Sequence, residues 1–167
     1  MLRSRLLFAT AAVTLVPVAA APAAESPERA AERAVAQGLD AHRAAHGLPS
    51  LRPRARLAHA ARRHSARQLR RDRLGHDAGP RQPFARRAAR ISGAGAVGEV
   101  IAFLPAGTRD PAAAALEAWR ASPTHAAVLT DAQWGRMGVG VRRGLLGDRR
   151  GLVVTVLVAQ PAVSARA

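Results

Sequence analysis

The segment LEAWRASPTHAAVL, Leu116 to Leu129, contains the junction between two predicted helices. Ser122 is a favoured N-cap residue, whose Oγ accepts a backbone N–H, and Pro123 suits the first position of a helix. One helix is therefore predicted to end near Trp119, and the next to begin at Pro123. His125 falls in the first turn of this second helix, where the positive end of the helix dipole disfavours a protonated imidazole. A neutral imidazole at a helix start is a usable metal ligand or hydrogen-bonding group.

Residues 1–23 have the pattern of a secretory signal peptide: a short basic start, an apolar run and small residues at the end. The run is too short for a membrane span and contains Pro17, so we expect no transmembrane anchor after cleavage. We predict cleavage after Ala23, a single domain over residues 24–160, and a frayed tail over residues 161–167. The chain contains no cysteine, which excludes disulfides and thiol chemistry. The predicted location is secreted: extracellular, periplasmic or at the cell envelope.

The formal net charge of +15 comes from 26 basic residues, all of which are arginine. Lysine, asparagine and tyrosine, whose codons are rich in A and T, are absent, so genome composition alone can explain the bias. The arginines are scattered and aromatic residues make up only 3% of the chain, which leaves no stacking platform for bases. We therefore expect no specific nucleic-acid partner, although weak adhesion to anionic polymers is physically reasonable.

Local patterns predict the remaining elements. Ser-Pro and Asp-Pro pairs at 26–27 and 110–111 mark two more helix starts. A long helix is predicted to open at Pro53 and run from Arg54 to about Leu74, and a short one over Phe84–Ile91. The segment 144–151 is predicted as a loop between a strand at 137–141 and an almost continuously apolar strand at 152–160. A strand of the latter kind is covered on both faces, which predicts helices on both sides of a small sheet.

A carboxylate interrupts the predicted strand Val97–Leu104. Alternation places Glu99 on the same face as Val97, Ile101 and Phe103. A carboxylate on an apolar face must find a partner or give up its charge. Glu99 is therefore a candidate for a polar cluster, and the alternative is a strand-end carboxylate that only reaches water.

The other histidines differ in their settings. His76 follows Leu74-Gly75 on a predicted loop, where a side chain is freer to point at a site. His42 and His46 share a helix face but lack the intervening acid of an HExxH pair, and we interpret them as last-turn residues. Helical spacing places His64 or Ser65 on the inner side of the long helix. We nevertheless interpret His59 and His64 most simply as residues at the surface or boundary of that helix.

Five stretches in order give the chain a resemblance to the CAP superfamily (cysteine-rich secretory proteins, antigen 5 and pathogenesis-related proteins), in its bacterial, cysteine-free form. These stretches are R-x-x-x-G-L-x-x-L at Arg43–Leu51, an L-x-x-x-A helix ending at His76, G-E-x-I at Gly98–Ile101, W-x-x-S-P-x-H at Trp119–His125, and G-V-G-V at Gly138–Val141. Together they span roughly residues 30 to 160, nearly the whole predicted mature chain.

The resemblance implies an α+β fold: a three-layer α-β-α sandwich whose small, mainly antiparallel sheet has helices on both faces. It also implies a shallow cleft lined by His76, His125 and Glu99, with Gly98, Trp119 and Ser122 as cleft or structural residues. The chain departs from the family in three places. Ser122 stands where plant and animal members have a second glutamate, and Glu117 is out of register to replace it. Val100 replaces an amide residue, and Asp40 replaces an asparagine.

Two imidazoles and one carboxylate can hold Zn²⁺ with water completing the tetrahedron. His76, Glu99 and His125 are therefore tentative ligands of a divalent metal and candidate catalytic residues. No Ser-His-Asp spacing is recognisable, and Ser122 is better explained as a cap than as a nucleophile. The leading hypothesis is a monomeric binding protein for a small ligand or an envelope component. The alternatives are a metal-dependent hydrolase or peptidase that uses the same three residues, and a polyanion-binding surface protein.

Overall fold

The computed structural model describes residues 24–77, 83–92 and 95–161. The predicted signal peptide and cleavage site, part of the glycine-rich segment at 92–96, and the tail after Pro161 lie outside the described residues. Within these ranges, none of the helices is both long and apolar enough to cross a membrane.

The described residues form five helices and a four-stranded sheet. The helices are α1 (Pro27–Ala45), α2 (Ala55–Arg70), α3 (Phe84–Ser92), α4 (Pro111–Arg120) and α5 (Pro123–Thr130). The strands are β1 (Arg52–Pro53), β2 (Val97–Pro105), β3 (Arg136–Leu146) and β4 (Arg149–Ala159). Their order across the sheet is β1-β3-β4-β2, with β1 parallel to β3 and the other pairs antiparallel. The predicted α+β fold with a small, mainly antiparallel sheet is confirmed.

The sheet is buried between two layers of helices. Strand β4 lies in its interior and is buried from Val153 to Ala159, as the apolar run predicted. One face of the sheet packs in the larger core cluster with α1, α4 and α5, and the other packs mainly against α2 and α3. Burying each large aliphatic side chain of this kind contributes about 1.5–3 kcal/mol.

The three helix starts predicted from Ser-Pro and Asp-Pro pairs are correct in position. Ser26 Oγ accepts a backbone N–H of α1 at 3.3 Å, and Asp110 Oδ1 accepts two backbone N–H groups of α4 at 3.0 Å. Ser122 occupies the N-cap position of α5, but its Oγ lies 3.2 Å from Thr124 Oγ1 and makes no hydrogen bond to the backbone. The predicted capping bond of Ser122 is therefore wrong, because the neighbouring hydroxyl takes its place.

Two glycines of β3 fix the position of α2. A Cβ atom at Gly138 would lie 2.1 Å from the backbone nitrogen of Ala58, and one at Gly140 would lie 2.1 Å from that of Arg62. The helix backbone therefore crosses the sheet at a distance that only glycine permits. Because α2 carries His64 and leads into the loop with His76, this close approach also positions the candidate site.

Both predicted bounds of α2 are wrong. Pro53 belongs to β1, because the N–H of Arg54 bonds to the carbonyl oxygen of Met137 at 2.8 Å and ties this segment to the sheet. At the other end, Asp72 has a φ of 49°, which interrupts the helix before it reaches Leu74. The side chain of Leu74 is consequently exposed.

The predicted loop at 144–151 is a tight hairpin. Strand β3 continues to Leu146, which pairs with Arg149 at the start of β4. Only Gly147 and Asp148 lie between the strands, and such two-residue connections suit the natural twist of a hairpin. The arginine and glycine content of the segment concealed the strand ends.

Candidate functional site

Glu99 lies in β2, opposite Leu157 of β4, and its side chain is fully buried. Arg87 of α3 places Nη2 at 2.8 and 2.9 Å from the two carboxylate oxygens. The prediction that Glu99 needs a partner is confirmed, and the alternative in which it only reaches water is wrong. Its principal partner is Arg87, and imidazoles are further partners, as expected.

His76 lies on the loop after α2, as predicted, and its side chain is 45% exposed. Its Nδ1 lies 3.1 Å from Glu99 Oε1, and Arg87 Nη2 also donates to the backbone carbonyl of His76 at 2.7 Å. Because a carboxylate only accepts hydrogen bonds, His76 Nδ1 carries the proton and its Nε2 keeps the lone pair. Glu99 and Arg87 thus fix both the position and the tautomer of this ring.

His125 lies in the first turn of α5, as predicted. Its Nε2 is 3.5 Å from the Nε2 of His76, and the ring centroids are 5.6 Å apart. Burial, followed by the neighbouring His76, lowers the pKa of His125, so its neutral form predominates at neutral pH. Two imidazole nitrogens from separate parts of the chain therefore meet at the surface.

Glu99 contacts the histidine pair through His76, on the side of that ring that faces away from His125. It meets His76 at Nδ1, whereas His125 meets His76 at Nε2. Within the described ranges, no three histidine, cysteine, aspartate or glutamate side chains converge in a way that could hold a metal ion. In this geometry Glu99 orients His76 and does not complete a three-residue ligand set with it and His125.

His64 was predicted at the surface or boundary of α2 and is instead 1% exposed. Its Nε2 lies 3.0 Å from the carbonyl oxygen of Gly75 and 3.6 Å from Glu99 Oε1. Burial is the main cause that lowers the pKa of His64; Glu99 opposes the shift and Arg87 reinforces it. The available signal was helical spacing, since Ala60, Ala61, His64 and Ser65 share the buried face of α2.

A buried polar network holds the loop that carries His76. Gln68 Oε1 accepts the N–H of Gly75 at 3.1 Å, and Gln68 Nε2 donates to Thr155 Oγ1 at 3.3 Å. Ser65 Oγ donates to the carbonyl of Gly140 at 2.8 Å and lies 2.9 Å from Thr155 Oγ1. Each buried polar group thereby gains a partner, and the loop is tied to the sheet.

The remaining predicted residues have structural roles. Trp119 is buried and donates from Nε1 to the carbonyl of Ile101 at 2.9 Å. A Cβ atom at Gly98 would lie 2.9 Å from a methyl group of Val158, so this glycine permits close packing. Asp40 Oδ1 accepts the N–H of Leu51 at 2.9 Å.

The second histidine pair fits its predicted role as last-turn residues. His46 Nδ1 donates to the carbonyl of His42 at 2.8 Å, and the two rings lie 4.5 Å apart. These imidazoles belong to the C-terminal turn of α1. They form a natural control for experiments on His76 and His125.

Comparison with solved structures finds bacterial proteins of the same architecture. An extracellular protein containing an SCP domain from Bacillus anthracis matches with a TM-score of 0.64 and 22% identity, over 84% of this chain and 45% of that one. An outer surface protein from Borrelia burgdorferi matches with a TM-score of 0.65 and 15% identity, over 81% of this chain and 96% of that one. A cysteine-rich secretory protein from Staphylococcus aureus matches with a TM-score of 0.60 and 13% identity, over 81% and 40%. The chain thus spans less than half the length of the first and third proteins.

Among curated proteins, none matches this sequence significantly. Residues 37–158 match the family model described as "CAP: Cysteine-rich secretory protein family". This match covers most of the chain, and the structural neighbours share its α-β-α architecture. The chain belongs to the CAP, or cysteine-rich secretory protein, family.

Proposed function

We propose that this chain is exported and acts as a binding protein outside the cytoplasm or at the cell envelope, with His76 and His125 as the groups that contact its ligand. Three observations support export: the signal-peptide pattern at residues 1–23, family membership, and relatives named as extracellular or outer surface proteins. The histidine pair supports the binding site because it is reachable from solvent.

The occupied carboxylate of Glu99 is the observation that favours binding over hydrolysis. Both of its oxygens accept from Arg87, and one also accepts from His76. A general base must reach the proton that it removes, directly or through one water. Glu99 is fully buried, so it is placed to orient His76 and not to activate a water at the surface.

The hydrogen-bond partners of the described hydroxyl groups argue against covalent catalysis. Ser122 Oγ contacts Thr124, and Ser65 Oγ contacts Thr155 and a backbone carbonyl. Among the side chains that the structure describes, no serine or threonine hydroxyl is hydrogen-bonded to a histidine, so these side chains supply no nucleophile–base pair for covalent catalysis.

The histidine pair fits a divalent cation. Zn–N bonds of about 2.0–2.1 Å in a tetrahedral site separate two nitrogens by about 3.4 Å, close to the 3.5 Å between His76 Nε2 and His125 Nε2. Zn²⁺ would be held by these two nitrogens, and Glu99 would supply the carboxylate that commonly orients a ligating histidine. When bound, the cation would act as a Lewis acid with positions left for ligand oxygens. The chain's own contribution is two imidazole nitrogens held 3.5 Å apart.

Zinc titration followed by calorimetry tests this proposal directly. The purified protein is expected to bind one Zn²⁺ at the pair, and His76→Ala and His125→Ala should each abolish that heat, because one imidazole alone is a weak site. The matched control is His46→Ala, which removes an exposed imidazole from the other pair and should leave zinc binding unchanged. Equal heats for the wild-type protein and His125→Ala would refute the site. Repeating the titration in high salt separates it from charge-driven adhesion, which weakens steeply with ionic strength.

A further inference from the structure

Positive charge is concentrated in one of the two helix layers. Although the arginines are scattered along the sequence, α2 and α3 together contain eight arginines and neither aspartate nor glutamate. In the opposite layer, α1, α4 and α5 together contain four arginines and four acidic residues. The fold therefore gathers the net charge of its helices on the side of the sheet that α2 and α3 cover.

Five exposed arginines of this layer form one surface, which we call the arginine face: Arg56, Arg63, Arg70, Arg86 and Arg90. The first three follow one another at intervals of seven residues, which places them along one side of α2 at steps of about 10 Å. Arg86 and Arg90 lie one turn apart on α3. The two rows are neighbours, because Arg56 Nη2 donates to the backbone carbonyl of Arg90 at 2.5 Å and because Arg63 and Arg90 border the same cavity.

The arginine face has no carboxylate of its own. None of its five guanidinium groups forms an ion pair with a described residue. The two aspartates that follow α2 hold backbone groups instead: Asp72 accepts the N–H of Gly147, and Asp77 accepts the N–H of Phe84 at 2.8 Å. The positive potential of the face is therefore open to an external anion.

The side chains around these arginines favour a soluble polymer over a bilayer, a protein or a nucleic acid. The exposed large hydrophobic side chains of the described residues are Leu74 and Leu145, and neither belongs to α2 or α3. The face consequently lacks an apolar group to insert into a membrane and the apolar centre of a protein interface. Phe84 is the only phenylalanine, tryptophan or tyrosine of the two helices and lies half-buried beneath Arg87, so it offers no platform for base stacking.

We infer that the arginine face binds an acidic polysaccharide, a linear chain that carries an oxyanion group at each repeat and lies along the arginines of α2. The forked donors of a guanidinium match the oxygens of such groups. The face is separate from the histidine pair, and the inference does not depend on the function proposed for that pair. Because the attraction is electrostatic, the affinity is expected to fall steeply as the salt concentration rises.

Binding of fluorescent dextran sulfate, measured by anisotropy over a range of salt concentrations, tests the face. Metal is removed by EDTA, and uncharged dextran of equal length is expected not to bind. The triple variant Arg63→Gln/Arg70→Gln/Arg86→Gln should weaken the binding of dextran sulfate by about tenfold or more. It should also reduce the slope of log affinity against log salt by roughly two to three, because each lost contact removes about one. These three side chains are exposed, so the fold should persist, as thermal unfolding would verify.

The matched control removes the same charge from three exposed arginines outside α2 and α3: Arg109→Gln/Arg120→Gln/Arg150→Gln. It should weaken binding by less than about threefold, because charges farther than a Debye length from the polymer are screened. Equal losses in the two triple variants would show that net charge alone drives the binding and would overturn the arginine face.

Two further probes test the class of partner. Tighter binding to phosphatidylglycerol vesicles or to duplex DNA than to dextran sulfate, lost in the variant of the face, would assign the face to a membrane or a nucleic acid and overturn the polysaccharide. Weaker binding to both would support it. A protein that binds no zinc but loses dextran sulfate only in the variant of the face would support the arginine face while refuting the histidine site.

Discussion

Two buried carboxylates, Glu32 on α1 and Glu99 on β2, have nearly equal exposures of 6% and 4%. Each is held by an arginine from a neighbouring helix. Glu32 accepts from Arg62 at 2.7 and 2.6 Å and from the N–H of Val141 at 3.1 Å. Arg29 also donates to Glu32 at 3.3 Å, so the hydrogen-bond partners of Glu32 are arginine and backbone donors, which tie α1 to α2 and β3.

Glu99 differs because its network ends at solvent. Beyond Arg87 it contacts two imidazoles, of which His76 is exposed and reaches His125. The hydrogen bonds from arginine stabilise both carboxylates in the interior. Only Glu99 also contacts imidazoles, which connect it to the proposed ligand site. The Glu32–Arg62 ion pair is therefore structural, whereas the Glu99–Arg87 ion pair also supports the proposed site.

The largest expected effect is on stability at Glu32. Glu32→Gln should lower the free energy of unfolding by about 3 kcal/mol, because it leaves the half-buried guanidinium of Arg62 without its charged partner. Urea unfolding measures this effect, and Glu117→Gln, an exposed glutamate on α4, should stay within about 0.5 kcal/mol of the wild type. Zinc binding should be unaffected in both variants. A loss of zinc binding in Glu32→Gln at a temperature where it is folded would erase the distinction between the two carboxylates.

The next effect is on binding at Glu99. Glu99→Gln keeps the shape of the side chain but weakens its hold on His76, and should reduce zinc affinity by about 10- to 100-fold. The affinity of His46→Ala serves as the reference for an imidazole change outside the site. If zinc affinity in Glu99→Gln equals that of the wild type, then Glu99 does not orient His76.

A smaller effect is expected in the pH ranges over which Glu32 and His64 contribute to the free energy of unfolding. Burial is the largest single influence on the pKa of Glu32 and would raise it. The hydrogen bonds from Arg62 and Val141, together with the charges of Arg62 and Arg29, outweigh burial, so the pKa of Glu32 is lowered from 4.5. Its contribution to stability is fully present above pH 4.5 and is lost as the pH falls through the lowered pKa. His64 has a pKa lowered from 6.5 mainly by burial, so its contribution is present above pH 6.5 and declines as the pH falls below that value.

Unfolding free energies between pH 8 and pH 3 should therefore decline in two steps. His42 and His125 also have lowered pKa values, so the comparison is made in a His42→Ala/His125→Ala background. There, His64→Gln should remove the upper step and Glu32→Gln the lower one. The charged groups facing His64 are Glu99, Arg87 and Arg67. A single step that both variants remove would contradict the assignment.

Local chemistry made much of the fold predictable. The Ser-Pro and Asp-Pro pairs located three helix starts, and the apolar run located β4, because caps and burial depend on short stretches of chain. The start of α2 was missed because it depends on the pairing of β1 with β3, which is distant in sequence. The end of α2 was missed because it depends on the positive φ of Asp72, and the hairpin at Gly147 because the arginine and glycine content of the segment concealed the strand ends.

The candidate site was predictable only in part. His76, Glu99 and His125 were found through an apolar-face carboxylate, a loop histidine and the family pattern. Arg87 was missed because, in a chain with 26 arginines, one more on an amphipathic helix carries no distinguishing signal. Helical spacing placed His64 or Ser65 on the inner side of α2, but the polarity of His64 favoured its interpretation as a surface or boundary residue.

The most direct test of the central claim, that Glu99 orients His76 so that its Nε2 faces His125, is nitrogen-15 NMR of the imidazole rings with and without zinc. We expect His76 to carry its proton on Nδ1 in the free protein, and zinc to shift the Nε2 signals of His76 and His125 while the Nδ1 proton of His76 stays in place. A proton on Nε2 of His76, or zinc-induced shifts at neither ring, would contradict it.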